Sequence, residues 1–258
     1  MGWWRKKQSA SGPPVVTLSC LGRRGRFGNM LFQYSFARKF AKLNNAELQT
    51  PPWLGETAFN ISHPRIRRPL PATPDDGWQM GQVNVDLLGY FQNQRCMDLL
   101  SRRELKQWLA FRPEIASLFP KPRSFYAAAH LRRGDYVREQ NRFCVVKKSA
   151  YESAIKQAGI AAADVIWVCD ETAQSSPLEA QGLGFLADFF TLMQADVLFR
   201  ANSSFSWWAA TLSSARVYSP VVEDKVGMQD VPFVPGNWPM MSHPSRTGAL
   251  STDLHLPD

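Results

Sequence analysis

Cysteine and histidine are scarce in this chain of 258 residues, with four of each. Cys20, Cys96, Cys144 and Cys169 stand far apart, so no close pair has metal-ligand spacing and no disulfide framework is implied. A reducing cytoplasm is the simplest compartment for such usage. The histidines are equally dispersed, no HExxH pair exists, and no metal-ligating residues are assigned. Long apolar runs are also missing. None approaches the roughly 18 residues of a membrane span, and Val15 to Cys20 is only strand-sized. No apolar signal core follows the cationic start Met1-Gly2-Trp3-Trp4-Arg5-Lys6-Lys7, so neither a secretory signal nor an anchor is expected. Two Trp beside three cations can rest on an anionic surface. A peripheral contact with the inner membrane therefore stands beside the plainer reading of a frayed terminus. Internal repeats and low-complexity tracts are absent as well.

The content that remains is that of a soluble globular protein, 45% hydrophobic and 20% charged, long enough for one large domain or two of ordinary size. Acid is the charge in short supply in the first part. Residues 1–156 hold 26 Lys/Arg against 11 Asp/Glu, a net +15, and residues 157–258 hold 4 against 11, a net −7, which together give +8. A basic first part attracts phosphorylated molecules, anionic surfaces or nucleic acid. The cations are dispersed and carry no nucleic-acid-binding signature, so no nucleic-acid partner is expected.

Val15 to Cys20 is read as a buried strand, followed by the basic, glycine-punctuated loop Leu21 to Asn29. Met30 to Leu43 then has the periodicity of an amphipathic helix, with Arg38, Lys39 and Lys42 on its polar side. Strand, glycine loop and helix place helix amides opposite an anion, although the spacing is neither GxGxxG nor a P-loop. Ala46 to Thr50 is a second strand. The insertion 51–81 contains six prolines. Its Trp53, Phe59, His63 and Trp78 suit a sugar-binding surface or a loop pinned to the core. Val85 to Phe91 is a strand and Met97 to Leu109 a helix. Phe111 to Pro122, with three prolines, is the candidate linker, which divides the chain into domains 1–118 and 119–258.

Beyond it, strands alternate with helices: strands at Phe125–Leu131, Asp164–Cys169, Val197–Phe199 and Arg216–Tyr218, helices at Ser149–Ala158, Asp188–Ala195 and Ser204–Leu212. Ser149 with Glu152 three residues on has the form of a capping box. Such alternation implies an α/β fold with a parallel sheet covered on both faces. The tail from Val231 is rich in Pro, Ser and Gly and carries no periodic signal.

Polar residues gather beyond three strands of this second half. The heptad His130-Leu131-Arg132-Arg133-Gly134-Asp135-Tyr136 follows the first. Asp170-Glu171 follows the second, and Asn202-Ser203-Ser204-Phe205-Ser206 the third. Two adjacent guanidinium groups can take phosphate oxygens in bidentate fashion, carboxylates can meet a base or ribose, and hydroxyls at a helix start can join its amides around an anion. Taken singly, each group also reads as a solvated turn or a helix cap, with Asp135 pairing Arg133. Three such groups at successive strand ends have the composition of a nucleotide or nucleotide-sugar site, because open α/β sheets bind ligands at the carboxyl ends of their strands.

In this order the pieces resemble the α1,2-fucosyltransferase family, glycosyltransferase family 11. Gly25-Arg26-Phe27-Gly28-Asn29-Met30-Leu31-Phe32-Gln33-Tyr34 matches the family's opening motif, except that Met30 stands where Gln is usual. Gly89-Tyr90-Phe91-Gln92 matches its Gly-Tyr-Phe-Gln. Residues 130–136 match the hallmark His-x-Arg-Arg-Gly-Asp-Tyr, which is shared in looser form with α1,6- and protein-O-fucosyltransferases. Cys169-Asp170-Glu171 is a partial match to Ser-Asp-Asp, and Asn202 to Ala210 matches Asn-Ser-x-Phe-Ser-Trp-Trp-Ala-Ala without a gap. The resemblance spans roughly residues 15–220.

It implies a GT-B architecture of two Rossmann-like domains, with GDP-fucose held mainly by the C-terminal half and L-fucose passed, with inversion and without a metal, to a galactoside in α1,2 linkage. The absence of a DxD motif fits that account. The resemblance puts Arg132 on the β-phosphate, His130 beside the nucleotide, and Asp170 or Glu171 on guanine or ribose. It puts Ser204, Ser206 and neighbouring amides from Asn202 to Phe205 on the diphosphate, with Arg133 in the same clamp, and Gly28 and Asn29 closing from the N-terminal side. Asp135 and Glu139 are the candidates for a general base. No cofactor beyond the donor substrate is implied. A cell-surface glycan ending in galactose is the expected acceptor, and a catalytically silent GDP-sugar-binding protein is the alternative carrying the same motifs.

Overall fold

A computed structural model describes residues 12–171 and 176–237. The N-terminal stretch with Trp3 and Trp4, read as a peripheral membrane contact or a frayed terminus, and the tail beyond 237 lie outside these. In the first half the chain runs β1 (Val15–Thr17), α1 (Phe27–Leu43), β2 (Glu47–Gln49), α2 (Leu54–Ala58), β3 (Ala72–Pro74), β4 (Val85–Leu88), α3 (Gln94–Met97), α4 (Arg102–Trp108) and α5 (Pro113–Ala116). The second half continues with β5 (Ala127–Leu131), α6 (Gly134–Arg138), β6 (Cys144–Val146), α7 (Lys148–Gln157), β7 (Val165–Cys169) and α8 (Leu186–Met193). It ends with β8 (Val197–Phe199), α9 (Ser204–Leu212), β9 (Arg216–Pro220), β10 (Gly227–Gln229) and β11 (Phe233–Pro235).

Two sheets organise these elements. The first half forms a four-stranded parallel sheet in the order β2-β1-β4-β3. The second half forms a five-stranded sheet in the order β11-β9-β8-β5-β7, parallel except for the antiparallel edge strand β11. A short ribbon pairs β10 with β6. Alternation in the sequence predicts the parallel pairing. The edge pairings of β10 and β11 join segments that carry no such signal.

The seam between the halves is built by α1 and α9. Twelve of the 17 residues of α1 are buried, so it is a core helix rather than the amphipathic surface helix that its cations imply; a helix apolar on most sides is one with packing on most sides. Phe32 lies 4.8 Å from the Trp207 ring and 4.9 Å from Trp208, and Phe27 lies 4.7 Å from Phe185 and 5.6 Å from Phe189. Aromatic pairs of this kind contribute about 0.5–1.5 kcal/mol each beyond the area they bury. The far end of α9 is also held from the first half. The guanidinium of Arg102 donates to the carbonyls of Thr211 (3.1 Å) and Ala210 (3.0 Å), and Lys106 Nζ donates to Ser213 O at 2.8 Å. Cations placed there satisfy orphan carbonyls and oppose the negative end of the helix dipole.

Several sequence readings are corrected. The expected helix from Met97 to Leu109 is two helices, α3 and α4, separated at Asp98–Ser101, with Ser101 Oγ accepting from the Glu104 amide at 3.3 Å as N-cap of the second. The supposed linker from Phe111 to Pro122 is packed structure: it contains α5, buries Ile115 and Phe119, and stacks Phe119 on Phe190 at 4.8 Å. Its prolines punctuate a packed segment instead of freeing it. Ser149 does not cap α7, which begins at Lys148. Its hydroxyl donates to Asp230 from the distant tail, and Lys148 pairs Glu152. In the proline-rich insertion Trp53, Phe59 and Trp78 are buried in the core and offer no sugar platform. His63 meets the Tyr34 hydroxyl at 2.9 Å. Among the described residues no helix is long and apolar enough to cross a membrane.

Candidate active site

The three polar groups meet because β5 lies between β8 and β7 in the sheet. All three strands run parallel, so the residues that follow them emerge side by side at their carboxyl ends. The Arg-Arg-Gly-Asp turn is anchored by Asp170. One oxygen of that carboxylate accepts the Arg133 amide at 2.7 Å, and the other pairs Arg132 Nη1 at 2.7 Å. Gly134 is required here. Its φ is +28°, and a β-carbon at this position would stand 2.7 Å from Asp170 Oδ2, so the carboxylate occupies the space a side chain needs.

Arg132 is fixed at three points. Nη1 holds Asp170, Nη2 donates to Asp135 Oδ1 at 2.5 Å, and the guanidinium carbon lies 5.2 Å from the centre of the Tyr136 ring. Its Nε is buried without a hydrogen-bond partner among the described residues. The neighbouring His130 is in the same condition: the residue is 2% exposed and its Nδ1 has no partner among the described residues. Burial, with Arg132 beside it, pushes the His130 pKa down to about 3, so the ring is neutral at ordinary pH. Two buried, unsatisfied polar atoms on residues 130 and 132 cost free energy unless something binds them.

Arg26 completes the cluster from the first half. Its guanidinium pairs with Asp135, so that carboxylate is held between Arg132 of its own half and Arg26 of the other. Asp135 does not pair Arg133, as its spacing implies. Arg133 turns away, and its Nη1 donates to Val146 O at 2.8 Å. Glu139 sits at the end of α6, about half exposed, paired with Arg142 at 2.8 Å. Tyr136 stacks on Phe143 at 4.3 Å and donates its hydroxyl to Asn202 O at 3.0 Å, which ties the heptad to the third strand end. Arg26 and Tyr136 are the members that sequence reasoning leaves without a role. The basic loop 21–29 is the one signal pointing to Arg26.

At the third strand end the N-termini of α9 and α1 meet. A β-carbon on Gly28 would lie 2.7 Å from the carbonyl carbon and from Oγ of Ser204, and 2.8 Å from the Phe205 amide nitrogen. Two helix starts with their positive dipole ends thus converge beside the Arg132 cluster. Asn29 stabilises the α1 start by accepting the Arg26 amide on Oδ1 at 3.2 Å. Ser203 caps α9, its hydroxyl accepting the Phe205 amide at 3.3 Å. Phe205 packs on His130 at 5.7 Å and Phe189 at 5.2 Å. Asn202 and Ser206 are engaged internally. Asn202 Nδ2 donates to Cys144 O at 3.0 Å, and the Ser206 hydroxyl bonds both amide and carbonyl of Ala201 at 3.2 Å. Of the third group, Ser204 is the hydroxyl without such an internal bond. Glu171 is exposed and borders the undescribed stretch 172–175.

The Gly-Tyr-Phe-Gln stretch is structural. Asp75 Oδ2 accepts the amides of Tyr90 (2.9 Å) and Phe91 (3.1 Å), and its other oxygen fills the space where a side chain at Gly89 would stand. Phe91, at φ +54°, stacks on Phe36 at 4.5 Å.

No known family model matches the chain, and no curated protein matches its sequence. Solved structures do resemble it. The NodZ alpha-1,6-fucosyltransferase soaked with GDP-fucose superposes with a TM-score of 0.54 at 14% identity, covering 87% of this chain and 100% of that one. The fucosyltransferase NodZ from Bradyrhizobium gives 0.53 at 14% identity, over 81% and 96%. NodZ co-crystallized with GDP gives 0.53 at 13%, over 88% and 100%. The chain therefore has the GT-B fold of these glycosyltransferases.

Proposed function

We propose that this protein is an inverting, metal-independent glycosyltransferase that moves L-fucose from GDP-fucose to a galactoside hydroxyl, forming an α1,2 linkage in cell-surface polysaccharide synthesis. The observation that carries the proposal is the pair of buried, unpartnered atoms, His130 Nδ1 and Arg132 Nε, beside the converging starts of α1 and α9. A diphosphate brings acceptors to both the guanidinium and the helix amides. In the NodZ alpha-1,6-fucosyltransferase, a fold of this kind was soaked with GDP-fucose. The choice of α1,2 over α1,6 rests on the resemblance of the ordered motifs from Gly25 to Ala210 to the α1,2-fucosyltransferase family.

The chemistry follows from the cluster. As the bond to the leaving group breaks, negative charge grows on the β-phosphate. Arg132 is already oriented by Asp170 and Asp135, and its free Nε–H meets that charge without reorganisation. A preorganised donor of this type is worth about 3–4 kcal/mol of barrier. Gly28 and Ser204 bring helix amides to the same charge, and His130, neutral, offers Nδ1 to the nucleotide. Asp135 is the nearer of the two candidate bases, and its position between Arg26 and Arg132 makes it equally an organiser of the clamp.

That last feature also favours the second reading, a GDP-sugar-binding protein without turnover, because Asp135 and Glu139 are both engaged by cations. One assay separates them: GDP release from GDP-fucose with a pooled set of galactosides, in EDTA, followed by linkage analysis of the product. Acceptor-dependent GDP release with a 1,2-linked product supports transfer. GDP-fucose binding without release supports the silent protein, and another linkage overturns the α1,2 assignment alone.

A further inference from the structure

The four-stranded sheet has its own switch point. From β1 the chain passes to β2 on one side and later to β4 on the other, the topology beside which open α/β sheets take ligands. A cavity of about 290 Å³ lies between the end of β1, Asp86 near the start of β4 and the segment 66–70, at the small end of ligand pockets and about the size for one sugar ring. Its lining includes Thr17, Ser19, Asp86, Arg67 and Arg68, and none of its residues belongs to the Arg132 cluster.

The polar groups of this cavity are unevenly satisfied. Asp86, 8% exposed, is clamped across the strands: Thr17 Oγ1 donates to it at 2.7 Å, the Ser19 amide at 2.9 Å and the Ser19 hydroxyl at 2.5 Å. Three donors fix its orientation and leave acceptor capacity for a ligand hydroxyl. The arginines contrast with their neighbour. Arg65 makes a two-pronged pair with Glu56 at 2.7 and 2.9 Å. Arg67 and Arg68 are exposed; among the described residues neither guanidinium has a hydrogen-bond or ion-pair partner in the protein, and both line the cavity, where an anion can replace their water. Two exposed guanidiniums and a buried, fixed carboxylate lining one cavity form a site for a molecule with hydroxyls at one end and an anionic group at the other.

We infer that this cavity binds an anionic sugar, one bearing a phosphate or a carboxylate, with its hydroxyls on Asp86 and Ser19 and its charge on Arg67 and Arg68. The inference rests on the transferase reading only for the cavity's role, in which the bound sugar is part of the acceptor and the acceptor is negatively charged.

Calorimetric titration of the full chain with galactose, galacturonate and galactose 6-phosphate tests it, with GDP titrated in parallel. The expected result is affinity for one or both anionic sugars at least about tenfold above that for galactose, as one charge-assisted hydrogen bond allows. The preference should weaken with added KCl and vanish in Arg67→Gln/Arg68→Gln, a variant checked for an unchanged Tm. Which anionic sugar binds tighter identifies the charged group. Equal affinity for galactose and its anionic forms, binding of none of them at millimolar concentration, or a preference that survives in the double variant overturns the inference. GDP binding without the anionic preference overturns this site and leaves the donor site standing. The preference without GDP binding supports this site and refutes the donor reading.

Discussion

Gly28→Ala is the sharpest probe of the convergent helix starts. Gly28 is the second residue of α1, and alanine there improves helix propensity by at most about 1 kcal/mol. Against this, the added carbon would approach the Ser204 carbonyl carbon and Oγ at 2.7 Å and the Phe205 amide at 2.8 Å. These neighbours are largely backbone and cannot rotate away. Overpacking of this kind costs about 1–3 kcal/mol, so the clash outweighs the propensity gain and the net loss is about 0–2 kcal/mol. At about 2–4 °C per kcal/mol for a chain of this size, Tm falls by no more than about 8 °C. The functional cost should be larger in proportion. Relief of the clash parts the α1 and α9 starts by part of an ångström, and a misplacement of about 1 Å costs on the order of 100-fold in rate. The measurements are a melting curve, a GDP titration and GDP release from GDP-fucose with acceptor. A variant that melts at or above the wild-type temperature and retains full GDP affinity and turnover would refute the close approach and its role.

Arg132→Ala should lower transfer by about 100-fold or more while the fold survives, since Asp135 keeps Arg26 and Asp170 keeps the Arg133 amide; near-normal turnover removes Arg132 from the mechanism. His130 is held neutral in the fold with its pKa lowered to about 3 from 6.5, so the unfolded chain binds the extra proton in between. This contribution to stability is complete above about pH 6.5 and is lost as pH falls toward 3, at up to about 1.4 kcal/mol per pH unit. Melting temperatures measured from pH 7 to 4 should fall less steeply in His130→Asn than in the wild type, and identical slopes would count against it. Arg102→Ala with Lys106→Ala removes three hydrogen bonds to the end of α9. With Lys106 largely in solvent, the expected loss is about 1–3 kcal/mol, read by urea unfolding; no change in midpoint would show that α9 is held by its aromatic face alone.

Particular residues show which parts of the structure are legible in sequence. The α9 span from Ser204 to Leu212 and the strand Val197–Phe199 coincide with their expected bounds, because a cap, an apolar run and a polar stop all agree. β6, β10 and β11 carry three residues each, too few for a period, and their partners are remote in sequence. The start of α1 at Phe27 lies inside what reads as a glycine loop, because Gly28 serves helix packing and not a turn. At the site, the membership of Arg132, Asp135 and Asp170 is visible from their positions after successive strands. Their pairing is not. Spacing joins Asp135 to Arg133, whereas the fold sends Arg133 to Val146 and brings Arg26 across from the other half.

The seam of α1 and α9 bears on how this chain can be inherited and rebuilt. The division we propose near residue 119 separates the sheets, but the core that contains Phe32 and Leu105 is the same one that contains Phe189, Trp207 and Trp208. A gene fragment ending there would carry half of an interior and expose the aromatic face that its counterpart normally covers. Recombination that exchanges one half for a homologue's must therefore exchange matched faces of α1 and α9, or repack both. Each half thus constrains the substitutions the other can accept.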